Sequence, residues 1–135
     1  MKKTIINLCF LCAVSAAHAE NWVERVATPH AIYIDLDSLR HQGELVSFLE
    51  KETFPVQMNT RLRPTYQEQI FFNQTVSLQI VDCQQLKGTR AETRYLGDSG
   101  ELVYDQRFDG TWTAIRTDSW MYGVTKEICP ARDAG

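Results

Sequence analysis

The chain has 135 residues, with 14 lysines and arginines against 17 acidic residues and a formal charge of −3. That size fits one ordinary domain, and the acidic balance argues against nucleic-acid binding, which rests on clustered positive charge. Only one long apolar run stands out, at the amino terminus.

That run reads as a leader. Met1, Lys2 and Lys3 form a short positive n-region, Ile5 to Ala17 is mostly apolar, and Ala17-His18-Ala19 supplies the small residues a signal peptidase needs. This pattern predicts a Sec signal peptide over residues 1–19, cleaved before Glu20, with residues 20–135 as a single mature domain. The apolar stretch is shorter than the roughly 20 residues of a spanning helix. Cys9 and Cys12 lie in the leader, but the bulky pairs Asn7-Leu8 and Phe10-Leu11 precede them where lipid attachment wants small residues. Plain cleavage is expected instead. Without Lys2 and Lys3, 12 basic residues face 17 acidic ones, so the mature charge is about −5. No second long apolar run exists, so no transmembrane anchor is expected in the mature chain.

Export places Cys83 and Cys129 in an oxidising compartment, where they have one intramolecular pairing. The other readings are two separate buried thiols, or metal or redox use. Within the mature chain neither a Cys-x-x-Cys pair nor zinc-site spacing accompanies them.

The dominant period of the mature chain is two. Asn21 to Val26 is a marginal first strand. Ile32, Ile34 and Leu36 then alternate with Tyr33, Asp35 and Asp37, as in a strand with one buried face. After Asp37-Ser38 and Gln42-Gly43, Leu45 to Leu49 predicts an antiparallel partner, because the connection is too short for a parallel crossover. From Thr53 to Phe72 neither period is clear. Pro55 and Pro64 interrupt it, and Arg61 and Arg63 sit in a polar stretch, so segment 53–72 reads as an exposed loop. Val76, Leu78 and Ile80 alternate with Ser77 and Gln79 ahead of Cys83. Thr89 to Leu96 places Arg90, Glu92 and Arg94 on one side and Ala91, Thr93 and Tyr95 on the other. Gly97 to Gly100 is a turn, Leu102, Tyr104 and Phe108 continue as the hairpin partner, and Trp112 to Ile115 forms a last short strand.

The end of the chain changes period. Thr117, Asp118 and Ser119 supply N-cap side chains, Trp120, Met121, Val124 and Ile128 recur at helical spacing, and Pro130 ends the helix. The predicted fold class is α+β: an antiparallel sheet of about five to six strands with a C-terminal helix packed on it and disulfide-linked to it.

No catalytic constellation accompanies this fold, so an enzyme is not expected. His30 and His41 are the only mature histidines, and each reads as a solvated residue near a strand end. No Gly-x-Ser-x-Gly elbow, EF-hand spacing or phosphate-binding glycine loop occurs, so neither cofactor nor metal is expected. Asp35 and Asp37 resemble a carboxylate pair but read as a strand end entering a turn. Trp112, Trp120, Tyr95, Tyr104 and Phe108 read as sheet-to-helix packing, with an aromatic ligand platform as the other reading. Lys87, Arg90 and Arg94 form a basic stripe that fits either a solvated strand face or contact with an acidic protein segment.

Together, Ile32-Tyr33-Ile34-Asp35 with Ser38-Leu39, Leu78 to Cys83, Thr89-Arg90 with Tyr95, Trp112, Thr117-Asp118-Ser119 and Ile128-Cys129 resemble the surface-adhesin protein E family. The resemblance spans Tyr33 to Cys129. It implies an antiparallel sheet with a disulfide-linked C-terminal helix. It also implies an exported, non-catalytic module that binds host extracellular-matrix or serum proteins such as vitronectin and laminin. The strand after the first cysteine would be the contact surface, through Lys87, Arg90 and Arg94. The absence of a lipid-attachment cysteine points to the periplasm or to release rather than a lipid anchor. The alternative is a periplasmic envelope or accessory protein with no host partner.

Overall fold

The computed structural model describes residues 20–61 and 69–130. The leader, with Cys9 and Cys12, and the positions of Arg63 and Pro64 lie outside the described residues. The strands are β1 (Trp22–Val26), β2 (Ala31–Gln42), β3 (Leu45–Arg61), β4 (Gln69–Asp82), β5 (Lys87–Leu96), β6 (Leu102–Arg107) and the two-residue β7 (Thr113–Ala114). They form one antiparallel sheet in the order β1-β2-β3-β4-β5-β6, with β7 paired to the start of β5. One helix follows, α1 (Trp120–Ile128). The expected α+β outline holds, weighted heavily toward sheet.

Residues 53–61 and 69–72 are strand rather than loop. β3 continues to Arg61 and β4 starts at Gln69, so Met58, Asn59, Thr60 and Arg61 pair with Phe72, Phe71, Ile70 and Gln69. Between Thr53↔Gln74 and Met58↔Phe72 the register shifts, and residues 54–57 oppose Asn73 alone. Such a bulge accommodates Pro55, which has no N–H to give to a ladder, and it scrambles the alternation that would otherwise reveal a strand. A second register shift lies between Asp35 and Arg40 of β2. There Ser38 Oγ donates to Asp35 O at 2.6 Å and accepts from Leu49 N at 2.8 Å. Asp35 is buried and accepts from Asn21 N and Asp37 N through Oδ1. It is a backbone anchor inside a strand rather than the start of a turn.

Directly paired residues share a sheet face. Ile34, Val46, Phe48 and Val81 lie on the face that α1 covers, where they meet Cys83, Val124 and Ile128 in one buried cluster. Phe48 is fully buried, and a side chain of that size contributes roughly 1.5–3 kcal/mol on leaving water. β4 reverses the amphipathic reading of its sequence. Its covered face carries Ser77, Gln79 and Val81, all buried, while Val76, Leu78 and Ile80 lie half-buried on the opposite face. Ser77 is satisfied there by Thr93, with 2.8 Å between the hydroxyls.

The helix is held at both ends. Ser119 has extended backbone, and its Oγ accepts from Tyr122 N while donating to Arg116 O. That satisfies one of the orphan donors every helix start leaves. Ser119→Ala is expected to cost about 1 kcal/mol, measured as a lower urea midpoint at unchanged slope; an unchanged midpoint would make the cap dispensable. At the other end the Cys83–Cys129 disulfide joins the helix C-cap to the residue after β4, with Cα atoms 5.7 Å apart. Arg25 of β1 makes two 2.7 Å bonds to the Glu127 carboxylate. The His41 ring, from the end of β2, lies 3.1 Å from Ile128 O.

Candidate functional site

Alternation along β3 carries Val46 and Phe48 into the core and then, two residues on, places Glu50 on the same covered face. Glu50 is 3% exposed. Gln79 Nε2 donates to its Oε2 at 2.8 Å, and Arg90 Nη2 stands 4.0 Å from Oε1. The next residue on that face, Glu52, is 2.7 Å from His30 Nε2. Burial pushes the Glu50 carboxyl up to about 7; the Arg90 guanidinium and the Gln79 hydrogen bond oppose that rise, and the neighbouring Glu52 adds to it by charge and by hydrogen bond. His30, Glu52, Glu50, Gln79 and Arg90 thus form a chain of polar contacts reaching from the start of β2 to β5. The aromatics of His30, Phe54, Phe72, Tyr95 and Tyr104 run as a second row across the same strands, with adjacent centroids 4.9–6.4 Å apart. Burial raises the Tyr95 hydroxyl above its ordinary value, against the pull of Arg90 and with a contribution from Tyr104.

The basic stripe is split. β5 carries a register shift between Leu78↔Glu92 and Gln79↔Arg90, which leaves Ala91 as the extra residue. The shift flips the alternation. Arg90 pairs with Gln79 on the helix-covered side, whereas Glu92 and Arg94 pair with Leu78 and Val76 on the opposite face. Lys87, exposed, pairs with Asp82. Arg94 is 60% exposed on its side chain and contacts Glu92 at 3.3 Å, while Arg90 is 44% exposed. The three residues predicted as one stripe therefore do not share one face. An alanine bulge has no marker in the sequence.

Beside Arg90, β5, β7 and the start of α1 enclose an open groove of about 450 Å³. Gln79, Arg90, Phe108, Asp109, Ile115 and Met121 are among its walls. Thr89 Oγ1 donates to Thr111 O, and Asp109 accepts from Thr111 N and Oγ1, which fixes the outer rim. The aromatics divide as well. Trp120 packs against the core and Tyr95 sits in the transverse row, but Leu102, Tyr104, Phe108 and Trp112 are 38–58% exposed at the β6 end of the sheet. Core packing accounts for only part of that set.

His30 is engaged by Glu52 and stacks 4.9 Å from Phe54, and His41 faces the end of the helix. Neither is simply solvated. No cluster of three or more histidine, cysteine, aspartate or glutamate side chains able to hold a metal exists among the described residues. Glu50 and Gln79 are the site residues that the sequence reading missed. The signal was present, since Glu50 continues the period of Val46 and Phe48.

The fold can be set beside solved structures. Haemophilus influenzae protein E in its selenomethionine form is similar with a TM-score of 0.56, at 14% identity over 83% of this chain and 92% of that one. Protein E from non-typeable Haemophilus influenzae gives a TM-score of 0.54 at 14% identity, over 83% of this chain and 77% of that one. None of the curated protein sequences matches. The family model described as surface-adhesin protein E matches residues 22–130, which span the seven described strands, both disulfide cysteines and the described helix. The chain belongs to the surface-adhesin protein E family.

Proposed function

We propose that this chain is an exported, non-catalytic, adhesin-like module that binds a protein partner, of the extracellular-matrix or serum kind, through β5 and the surface beside it. Membership of a surface-adhesin family implies an exported or cell-surface protein with protein partners. No described helix is long and apolar enough to cross a membrane. The observation that carries the choice of surface is the asymmetry of the sheet. α1 closes one end of the covered face, while the β5–β6 side offers a cation on each face, Arg90 on the covered one and Arg94 on the other, together with exposed Tyr104, Phe108 and Trp112. Arginine and large aromatics are the residues that most often anchor protein interfaces, with charge setting orientation and encounter rate.

The double variant Arg90→Glu with Arg94→Glu tests this by surface plasmon resonance against a panel of immobilised matrix and serum proteins. Binding weakened about tenfold or more is expected, since reversal of two rim charges replaces attraction with repulsion. Unchanged affinity for every panel member that the native protein binds would remove β5 as the contact strand.

A further inference from the structure

The groove beside β5 places an exposed cation in front of a buried acid. Arg90 lines the groove, and behind it Glu50 is almost sealed from solvent, 4.0 Å from the guanidinium and bonded to Gln79, which lines the same groove. That separation is too long for a hydrogen bond, so Arg90 keeps its donors for another partner. The other charged residues of the groove are already engaged. Arg116 makes 3.0 and 2.7 Å bonds to Asp118, and Asp109 is held by Thr111. Phe108, Ile115 and Met121 add an apolar wall. The cavity falls within the size range of ligand pockets. A carboxylate side chain flanked by apolar residues matches this combination, with the guanidinium fork as its receptor.

We propose that the groove receives an acidic, carboxylate-bearing segment of a protein partner on Arg90, and that Glu50 competes for the same guanidinium, so that the segment is held more tightly when Glu50 is protonated. This rests on the reading of β5 as the contact strand and adds the partner's chemistry and its control. The groups facing Glu50 are Arg90 of β5, Gln79 of β4, Glu52 of β3, and His30, which reaches it through Glu52. A ligand carboxylate on Arg90 withdraws the one nearby positive charge that favours ionised Glu50 and adds a negative one. By reciprocity, ionisation of Glu50 must weaken the ligand. With the Glu50 carboxyl near 7, the change falls between pH 6 and pH 8.

The test is an ¹H–¹⁵N NMR titration of the mature domain with an acetylated heptapeptide alternating glutamate with leucine, at pH 6 and pH 8. Its glutamine counterpart serves as control. The peptide carboxylates are ionised at both values, so any difference belongs to the protein. Saturable shifts at Thr89, Arg90 and residues 108–116 are expected, with affinity about fivefold higher at pH 6 than at pH 8, as a one-unit rise of a carboxyl near 7 gives over that interval. Glu50→Gln should bind with the same affinity at both values. His30→Gln should keep the dependence, and if the dependence is lost there instead, the assignment to Glu50 falls. Absence of saturable shifts at millimolar peptide, equal binding of the glutamine peptide, or equal affinity at both pH values overturns the proposal. The outcomes are separable from the matrix-protein result. A groove that fails to bind peptide leaves weakening by the Arg90 and Arg94 reversals intact, and the converse also holds.

Discussion

The folded domain is expected to lose stability between about pH 5 and pH 8, and Glu50→Gln to remove most of that loss. In the unfolded chain this carboxyl ionises at about its ordinary 4.5, whereas in the fold burial holds it near 7. Between those values the native state carries a proton that the unfolded state has lost, so stability falls as pH rises and the penalty is complete above 7. Two to three units of displacement correspond to roughly 3 kcal/mol, or on the order of 10 °C in Tm for a domain of this size. An amide in place of the carboxyl has nothing to ionise and can still accept from Gln79 and donate to Glu52. The variant should therefore melt above the native protein at pH 8 and near it at pH 5. Asp109 and Glu127 have carboxyls displaced downward by Thr111 and Arg25 respectively. What they contribute is present above their ordinary values and is lost only as pH falls further, outside this interval. Calorimetric scans at several pH values decide the matter, and a flat profile in the native protein would show that Glu50 is not held protonated.

Removing the disulfide should have the largest effect of all. Cys83 and Cys129 are separated by 46 positions, and closing a loop of that size restricts the unfolded chain by about 4 kcal/mol. That is a large share of the 5–15 kcal/mol typical of a domain. The nine-residue helix is also shorter than the roughly 12–15 residues that isolated helices need, so it depends on being held. The double variant Cys83→Ala with Cys129→Ala should lose about 4 kcal/mol in urea unfolding. It should also bind the dye ANS through the core surface around Val46 and Phe48. Retention of the native midpoint to within about 1 kcal/mol would mean that packing and the Arg25–Glu127 pair suffice.

Much of the fold was legible in the residues. The period of two in Ile32 and Ile34 and across the β5–β6 hairpin, the helical spacing of Trp120, Val124 and Ile128, and the Ser119 cap all lie where the chain places them. The disulfide followed from export and elimination. Much of what the sequence concealed has one physical cause, the β-bulge. The four residues opposite Asn73 hid the continuation of β3 and β4 behind Pro55, and the single extra residue Ala91 moved Arg90 away from Arg94. Bulges add a residue without any composition of their own, and each one reverses which side chains look inward. The polar interior was hidden for a second reason. Val76, Leu78 and Ile80 look like the core-facing side of β4, but the buried partners Ser77–Thr93 and Gln79–Glu50 are satisfied in pairs, and only three-dimensional pairing shows that such residues can be enclosed.

Beyond Thr53 and Gln74 the paired strands β3 and β4 have no third strand among the described residues, because β2 stops pairing at Thr53 and β5 at Gln74. A two-stranded ribbon is marginal by itself. What moors this one to the rest of the sheet is Phe72, held edge-on between Phe54 and Tyr95. Separating residues 58–61 from 69–71 would break no pairing made by β2 or β5 and touches none of Phe48, Val46 or the helix. Opening there is expected to cost less than unfolding the clamped core, which would give the domain two thresholds of order, one global and one local. An arm with its own lower threshold can change conformation on meeting another surface while the folded body stays intact.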